Sequence, residues 1–311
     1  MINLSLNKQF DIILPNTNKA LALVIGGASP EQLETISKDK DLKSILNSLF
    51  KESAISPNGD KAILELLKNN PTLKELGNIS TTIKELLNTL KGEKNPLPIE
   101  TTLKDFFLDI KELNEPLLKE KIQNSGVFLE SKLKNANENV REILSGDLKA
   151  ILLKAGEEIA KSSHQNQAEL LKHIDKLSLQ IDYYQLLSHL SNSSALYLPF
   201  SWDSLEEGNI NIKKEKEGRF YCDIDLKLKE YGELKLKLAL YEENQISIHI
   251  FSDNAEFKEI VKENLSLLRS ALIESQIIPK EIRIFDTIKK NPTSPYESGY
   301  DHIDLGFEVK A

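Results

Sequence analysis

The chain is predicted to be an α+β protein, with an all-α N-terminal region followed by a small antiparallel sheet packed with one main helix. Three observations predict it. Apolar residues recur at helical spacing from about Ser29 to Leu190, the period falls to two beyond Ser191, and a last helical stripe follows Asp253. A period near 3.6 lines one face of a helix, whereas a period of 2 lines one face of a strand.

The helical part begins at Ser29-Pro30-Glu31-Gln32, an N-cap followed by Pro and acidic or amide residues in the first turn. Leu33, Ile36, Leu42, Ile45, Leu46, Leu49 and Phe50 continue at helical spacing. Further helical stretches are expected at Ala62–Leu67, Ile83–Leu90, Leu103–Leu113 and Val140–Leu153. Breaks are expected at Ser56-Pro57-Asn58-Gly59, at Asn70-Pro71 and between Gly92 and Pro98. These breaks divide the helices into residues 1–100 and 101–190, ahead of an α+β domain at 191–286 and a tail at 287–311.

Within the α+β domain, Phe220, Cys222, Ile224, Leu226 and Leu228 alternate with polar residues. After the Tyr231-Gly232 turn, Leu234, Leu236, Leu238 and Leu240 do the same, and Ile246, Ile248 and Ile250 follow the next loop. Alternation joined by short polar turns predicts an antiparallel meander with one buried face. Asp253 and Glu256 have capping-box-like spacing ahead of the stripe Phe257, Ile260, Val261, Leu265, Leu268 and Leu272, which is expected to cover that face. Glu281–Phe285 reads as a short strand. In the tail, Ile303, Leu305, Phe307 and Val309 read as an edge strand or as one offered to a partner.

Composition sets the class of function. The 311 residues are 40% hydrophobic and 28% charged, enough to bury a core and too apolar for a wholly disordered chain. Forty Lys+Arg against 48 Asp+Glu give a net charge of −8, so the bulk charge gives no signal for nucleic acid. The lone Cys222 excludes an internal disulfide and a multi-cysteine zinc site. The apolar run Ala20–Ala28 is about half of the roughly 20 residues that a membrane-spanning helix needs. No direct membrane insertion is expected, and no cleaved secretory leader is legible.

Catalytic patterns are missing from the sequence. The five histidines form no HExxH, and Gly26-Gly27 has neither the spacing nor the Lys-Ser/Thr partner of a phosphate cradle. No serine lies in GxSxG, and Cys222 alternates onto the apolar face as a structural thiol. No catalytic residue, cofactor or metal ligand is therefore assigned, and the protein is expected not to be an enzyme. Lys227, Lys229, Lys235 and Lys237 gather on the polar side of two adjoining strands. They read either as a solvated face balanced by Glu230 and Glu233 or as a docking surface for an acidic partner.

Leu198-Pro199, followed by Leu205-Glu206-Glu207-Gly208-Asn209-Ile210-Asn211-Ile212, is similar to an L-x-P-x-x-L-G-x-V-x-V entry. Glu233–Leu240 and Gln245–Phe251 supply central strands. Asn254-Ala255-Glu256 through Leu265, Leu268-Arg269 and Leu272 is similar to an N-x-E-x(9–10)-L-x-x-L-R-x-x-L helix, with eight residues between Glu256 and Leu265 and with Ile277 beyond the helix. In this order the pieces resemble the C-terminal domain of the flagellar hook-length control protein family. The chain departs from the pattern by inserting Glu206-Glu207 between Leu205 and Gly208, and by a wider gap after Pro199.

The resemblance implies a non-enzymatic regulator whose C-terminal domain switches export specificity from hook to filament subunits. It implies as partner the cytoplasmic domain of the membrane-embedded flagellar export switch protein, with hook or hook-cap subunits as further candidates. It also implies a cytoplasmic protein whose N-terminal part is open to export through the flagellar type III apparatus. Leu198, Pro199, Trp202, Leu205 and Gly208 are the expected partner-binding residues, with Trp202 read either as a core plug or as an interface anchor. A competing expectation is a structural adaptor of the flagellar or another multiprotein assembly, binding through its helical region.

Overall fold

The computed structural model describes residues 18–27, 57–91, 98–136, 139–163, 165–191, 193–198, 200–214, 219–241 and 244–286. The expected helix from Ser29 to Phe50, the expected break at Gly92 and the strand at Ile303–Val309 lie outside these residues. The chain divides into two compact units. One holds the residues up to Leu190 together with Pro199–Ser201; the other holds Ser191–Leu198 and the chain from Trp202 onward.

The regular elements of the first unit are all helices among its described residues, with one isolated parallel bridge between Asp109 and Ser201. Its helices are α1 (Lys19–Gly26), α2 (Pro57–Asn69), α3 (Pro71–Lys74), α4 (Ile79–Leu90), α5 (Pro98–Phe106), α6 (Glu115–Gln123), α7 (Leu129–Lys134), α8 (Val140–Gly146), α9 (Leu148–Ala160) and α10 (Gln167–Leu190). Helix α10 is the axis of the unit, and α1, α2, α4 and α9 pack on it. Its Leu170, Ile174, Leu177 and Ile181 are buried, as are all residues from Gln180 to Leu187. A helix enclosed on all sides in this way belongs to a bundle centre rather than to a surface.

Several boundaries differ from the sequence expectation, each for a local reason. The expected break at Ser56–Gly59 is instead the start of α2, because Pro57 suits the first helical position. Asn70-Pro71 is a real break, and the Asn70 side chain accepts from Leu73 N at 3.2 Å to cap α3. The expected helix over Leu103–Leu113 stops at Phe106, and Asp109 caps a separate 3-10 turn at Ile110–Glu112. The helix expected over Val140–Leu153 is two helices that share Asp147. Its backbone N–H closes α8 on Ile143 O at 3.0 Å, while its carboxylate accepts from Lys149 N at 3.1 Å to open α9.

The second unit is a six-stranded sheet in sequence order: β1 (Ser194–Tyr197), β2 (Leu205–Lys214), β3 (Phe220–Leu228), β4 (Gly232–Tyr241), β5 (Gln245–Ser252) and β6 (Ile278–Phe285). The first four pairings are antiparallel, including the β3–β4 and β4–β5 pairings that the alternation predicts. The fifth, β5 with β6, is parallel, because an intervening helical segment returns the chain to its starting end. That segment is two helices, α11 (Ala255–Glu263) and α12 (Leu265–Glu274), where one was expected. They part at Asn264, whose side chain turns back to donate to Ile260 O at 2.8 Å. The Asn254 side chain caps α11 by accepting from Phe257 N at 2.9 Å, so the cap falls one residue after the expected Asp253.

The two helices do not cover the whole apolar face. They pack chiefly against β5 and β6, and none of their residues is fully buried. Ile248, Ile250 and Ile282 are buried at this end of the sheet. On the same face, Ile210, Ile212, Ile224, Leu236 and Leu238 are only half-buried.

Candidate partner-binding surface

The segment from Leu198 to Gly208 joins β1 to β2 and contains all five expected contact residues. Strand β2 begins with a bulge: Leu205 pairs with Leu228, but Glu207 already pairs with Lys227. Residues three apart in a regular strand point to opposite faces. The extra residue, Glu206, removes that conflict, so Leu205 and Gly208 lie on the same face as their partners Leu228 and Leu226. The two-residue insertion after Leu205 is thereby accommodated without turning β2 over.

The loop that precedes this bulge is tied down by its backbone. Leu205 N–H donates to Trp202 O at 3.0 Å, and Lys229 N–H donates to Ser204 O at 2.9 Å. Leu198 and Leu205 are buried, at 4% and 7% exposure, and Trp202 is half-buried. Gly208 sits beneath Leu198: a Cβ there would overlap Leu198 Cδ1 and stand 3.0 Å from Leu226 Cδ2. Leu198, Gly208 and Leu226 thus pack into a floor with the buried Leu205 on the same face, and Trp202 is more exposed than either Leu198 or Leu205. Pro199 lies outside the described residues.

The charges on the sheet face opposite the floor are balanced within the domain. Lys227 Nζ is 2.9 Å from Glu206 Oε2, and Lys235 Nζ is 3.6 Å from Asp225 Oδ1 across the β3–β4 pairing. Lys237 stands opposite Asp223 and lies over the Phe251 ring, 6.0 Å from its centroid. Burial raises the Asp223 carboxyl despite the pull of Lys237, and burial likewise raises Glu207 against Lys227. Two of the four lysines of the stripe read from the sequence, Lys227 and Lys235, are therefore held in cross-strand ion pairs, a pattern invisible until the register is known.

Toward β6 the same face becomes aromatic. Phe251 and Phe285 stack with centroids 5.2 Å apart, and the buried His249 meets Phe285 at 5.2 Å and Glu281 Oε2 at 3.2 Å. Sequence reading missed this cluster because Phe285 joins it only through the parallel pairing of β6.

On the opposite face, Cys222 is half-buried, and burial, helped by Asp223, pushes its thiol up to about 12. A thiol held protonated is a poor nucleophile. Among the described residues, no group of three or more His, Cys, Asp or Glu is placed to hold a metal ion, and no helix is long and apolar enough to cross a membrane.

No curated protein and no solved structure matches the chain. A family model does match, over residues 208–293, from Gly208 in β2 to beyond the end of β6. The span takes in the meander from the glycine onward, both helices and β6, and Leu198, Pro199, Trp202 and Leu205 precede it. The matched family is regulatory and non-enzymatic. The sheet-and-helix domain is thereby similar, over those residues, to the flagellar hook-length control protein FliK, which supports involvement of this chain in flagellar hook-length control.

Proposed function

We propose that the chain is a non-enzymatic regulator of flagellar type III export. It controls hook length, the switch from hook to filament subunits, or both, by binding the cytoplasmic domain of the export switch membrane protein. The observation that carries this reading is the coincidence of the matched residues 208–293 with a folded sheet-and-helix domain. The half-buried Trp202 beside the packed floor of Leu198, Leu205 and Gly208 supports a contact at the start of β2, because interfaces concentrate their energy in a central aromatic seated on a rigid surround. In this reading Trp202 touches the partner, Leu198, Leu205 and Gly208 form the surface around it, and Pro199 is a further contact residue. Hook or hook-cap subunits are further partners, and the protein acts in the cytoplasm with export of its N-terminal part open.

The test is the hook-length distribution, measured by electron microscopy in a strain lacking the gene. Long, uncontrolled hooks without filaments are the expected result. Normal hooks carrying normal filaments overturn the proposal.

A further inference from the structure

The helical unit buries a charged network that no feature of the proposed function requires. Lys149 of α9, at 1% exposure, places its ammonium 2.7 Å from Glu130 Oε1 of α7, 2.7 Å from Asp182 Oδ1 of α10 and 2.9 Å from Gln185 Oε1. Gln185 Nε2 in turn donates to Glu130 Oε2. Burial disfavours the charge of Lys149, but Asp182 and Glu130 together outweigh it and raise its pKa. Three elements are therefore clamped on one cation.

A fourth element is attached to this hub at its edge. Asn18 caps α1 by accepting from Leu21 N at 2.8 Å, and its amide donates to Asp182 O at 3.0 Å and to Gln185 Oε1 at 3.3 Å. Lys19 N–H donates to Asp182 Oδ2 at 2.7 Å. Among the described side chains of α1, the buried apolar ones are Ala20, Leu21 and Val24, and the helix has eight residues. A helix that short is unstable in isolation, so its helicity depends on docking.

We propose that α1 is a two-state latch on the helical bundle, set by the clasp of Asn18 and Lys19 on Asp182 and Gln185. Intermediate positions are penalised. If α1 slid by a turn along α10, Lys149 would still hold Asp182 Oδ1 and Gln185 Oε1, but Asp182 Oδ2 would lose the Lys19 N–H and the buried Asn18 amide would lose both acceptors, and a buried polar group without a partner is costly. Full release restores those groups to water, so docked and released states are favoured over anything between. Release uncovers the strip of α10 around Asp182 and presents Leu21 and Val24 to solvent, while the Lys149 hub keeps α7, α9 and α10 together. This inference does not rest on the proposed function.

Amide hydrogen exchange on the full chain tests it, comparing α1 with α4, whose Ile83 and Leu86 are fully buried. Two variants separate the clasp from simple helix capping. Asn18→Ala removes the cap and both amide contacts, whereas Lys19→Pro removes only the N–H given to Asp182 and the exposed Lys19–Asp175 pair, at a first helical position where Pro is well suited. Both are expected to speed exchange in α1 by about fivefold to tenfold, the range of a lost capping interaction, and to leave α4 unchanged. The proposal is overturned if α1 is unaffected by either variant, or if α1 and α4 accelerate together.

Discussion

Leu198 lies directly over Gly208, so closely that a single added methyl at the glycine would overlap its Cδ1 atom. This contact joins the end of β1 to the start of β2. Glycine is required here for space rather than for an unusual backbone angle.

Gly208→Ala is therefore expected to destabilise the sheet domain by about 1–3 kcal/mol, the ordinary cost of overpacking. Thermal unfolding of the single variant, set against Gly208→Ala combined with Leu198→Ala, checks it. The second change removes the overlapping atom, so the two penalties should add to less than their sum.

Trp202→Ala is expected to weaken binding of the full chain to the purified cytoplasmic domain of the export switch protein by about tenfold or more, as for a hot-spot aromatic. Leu198→Ala should instead act mainly by lowering the thermal midpoint of the domain. Titration calorimetry beside a melting curve separates the two effects.

Gly126 presents the opposite case, because both space and backbone demand it. Its φ is +91°, and an added Cβ would stand 2.9 Å from Lys149 Cβ and 2.9 Å from Ile181 Cγ2. Gly126→Ala is expected to cost the helical unit about 2 kcal/mol or more, read from urea unfolding.

Lys149→Met removes the cation that pairs with both Glu130 and Asp182 and leaves two buried carboxylates without it. The expected loss is about 3–5 kcal/mol of unfolding free energy. Adding Glu130→Gln and Asp182→Asn to that variant should recover part of it, because neutral amides do not need the ammonium.

Cys222 predicts a dependence on alkaline pH. Its folded-state pKa is raised from the ordinary 9.0 to about 12, so the folded domain retains a proton that the unfolded chain gives up. The associated stability is fully present below 9.0 and is lost as pH rises toward about 12. Cys222→Ser should flatten this decline. In the native protein at pH 8, alkylation of Cys222 should be much slower than in the unfolded chain.

What the sequence made legible follows the reach of its patterns. Strands β3 to β5 were readable because apolar residues, mostly Leu and Ile, recur at every second position and the turns are short. The break at Asn264 was not, because the apolar spacing runs on from Val261 to Leu265 and only a side-chain hydrogen bond marks the stop. Asp147 was missed for the same reason. The ion pairs of Lys227 and Lys235 required the cross-strand register, and the network around Lys149 unites positions 18, 130, 149, 182 and 185, which share no spacing at all. Within the expected binding set, the sequence located the loop, but only burial separates the half-exposed Trp202 from the packed Leu198 and Leu205.

The sheet whose strands stand in chain order has a kinetic consequence. Each of β1 to β5 pairs with its neighbour in sequence, so closing every step requires only a short loop. Such local contacts keep contact order low and folding fast for a β-rich domain. The parallel addition of β6 is the non-local step, since it waits for α11 and α12 to return the chain. A domain built this way can lose its last strand and regain it while the meander persists as a template, so partial unravelling from its C-terminal end is readily reversed.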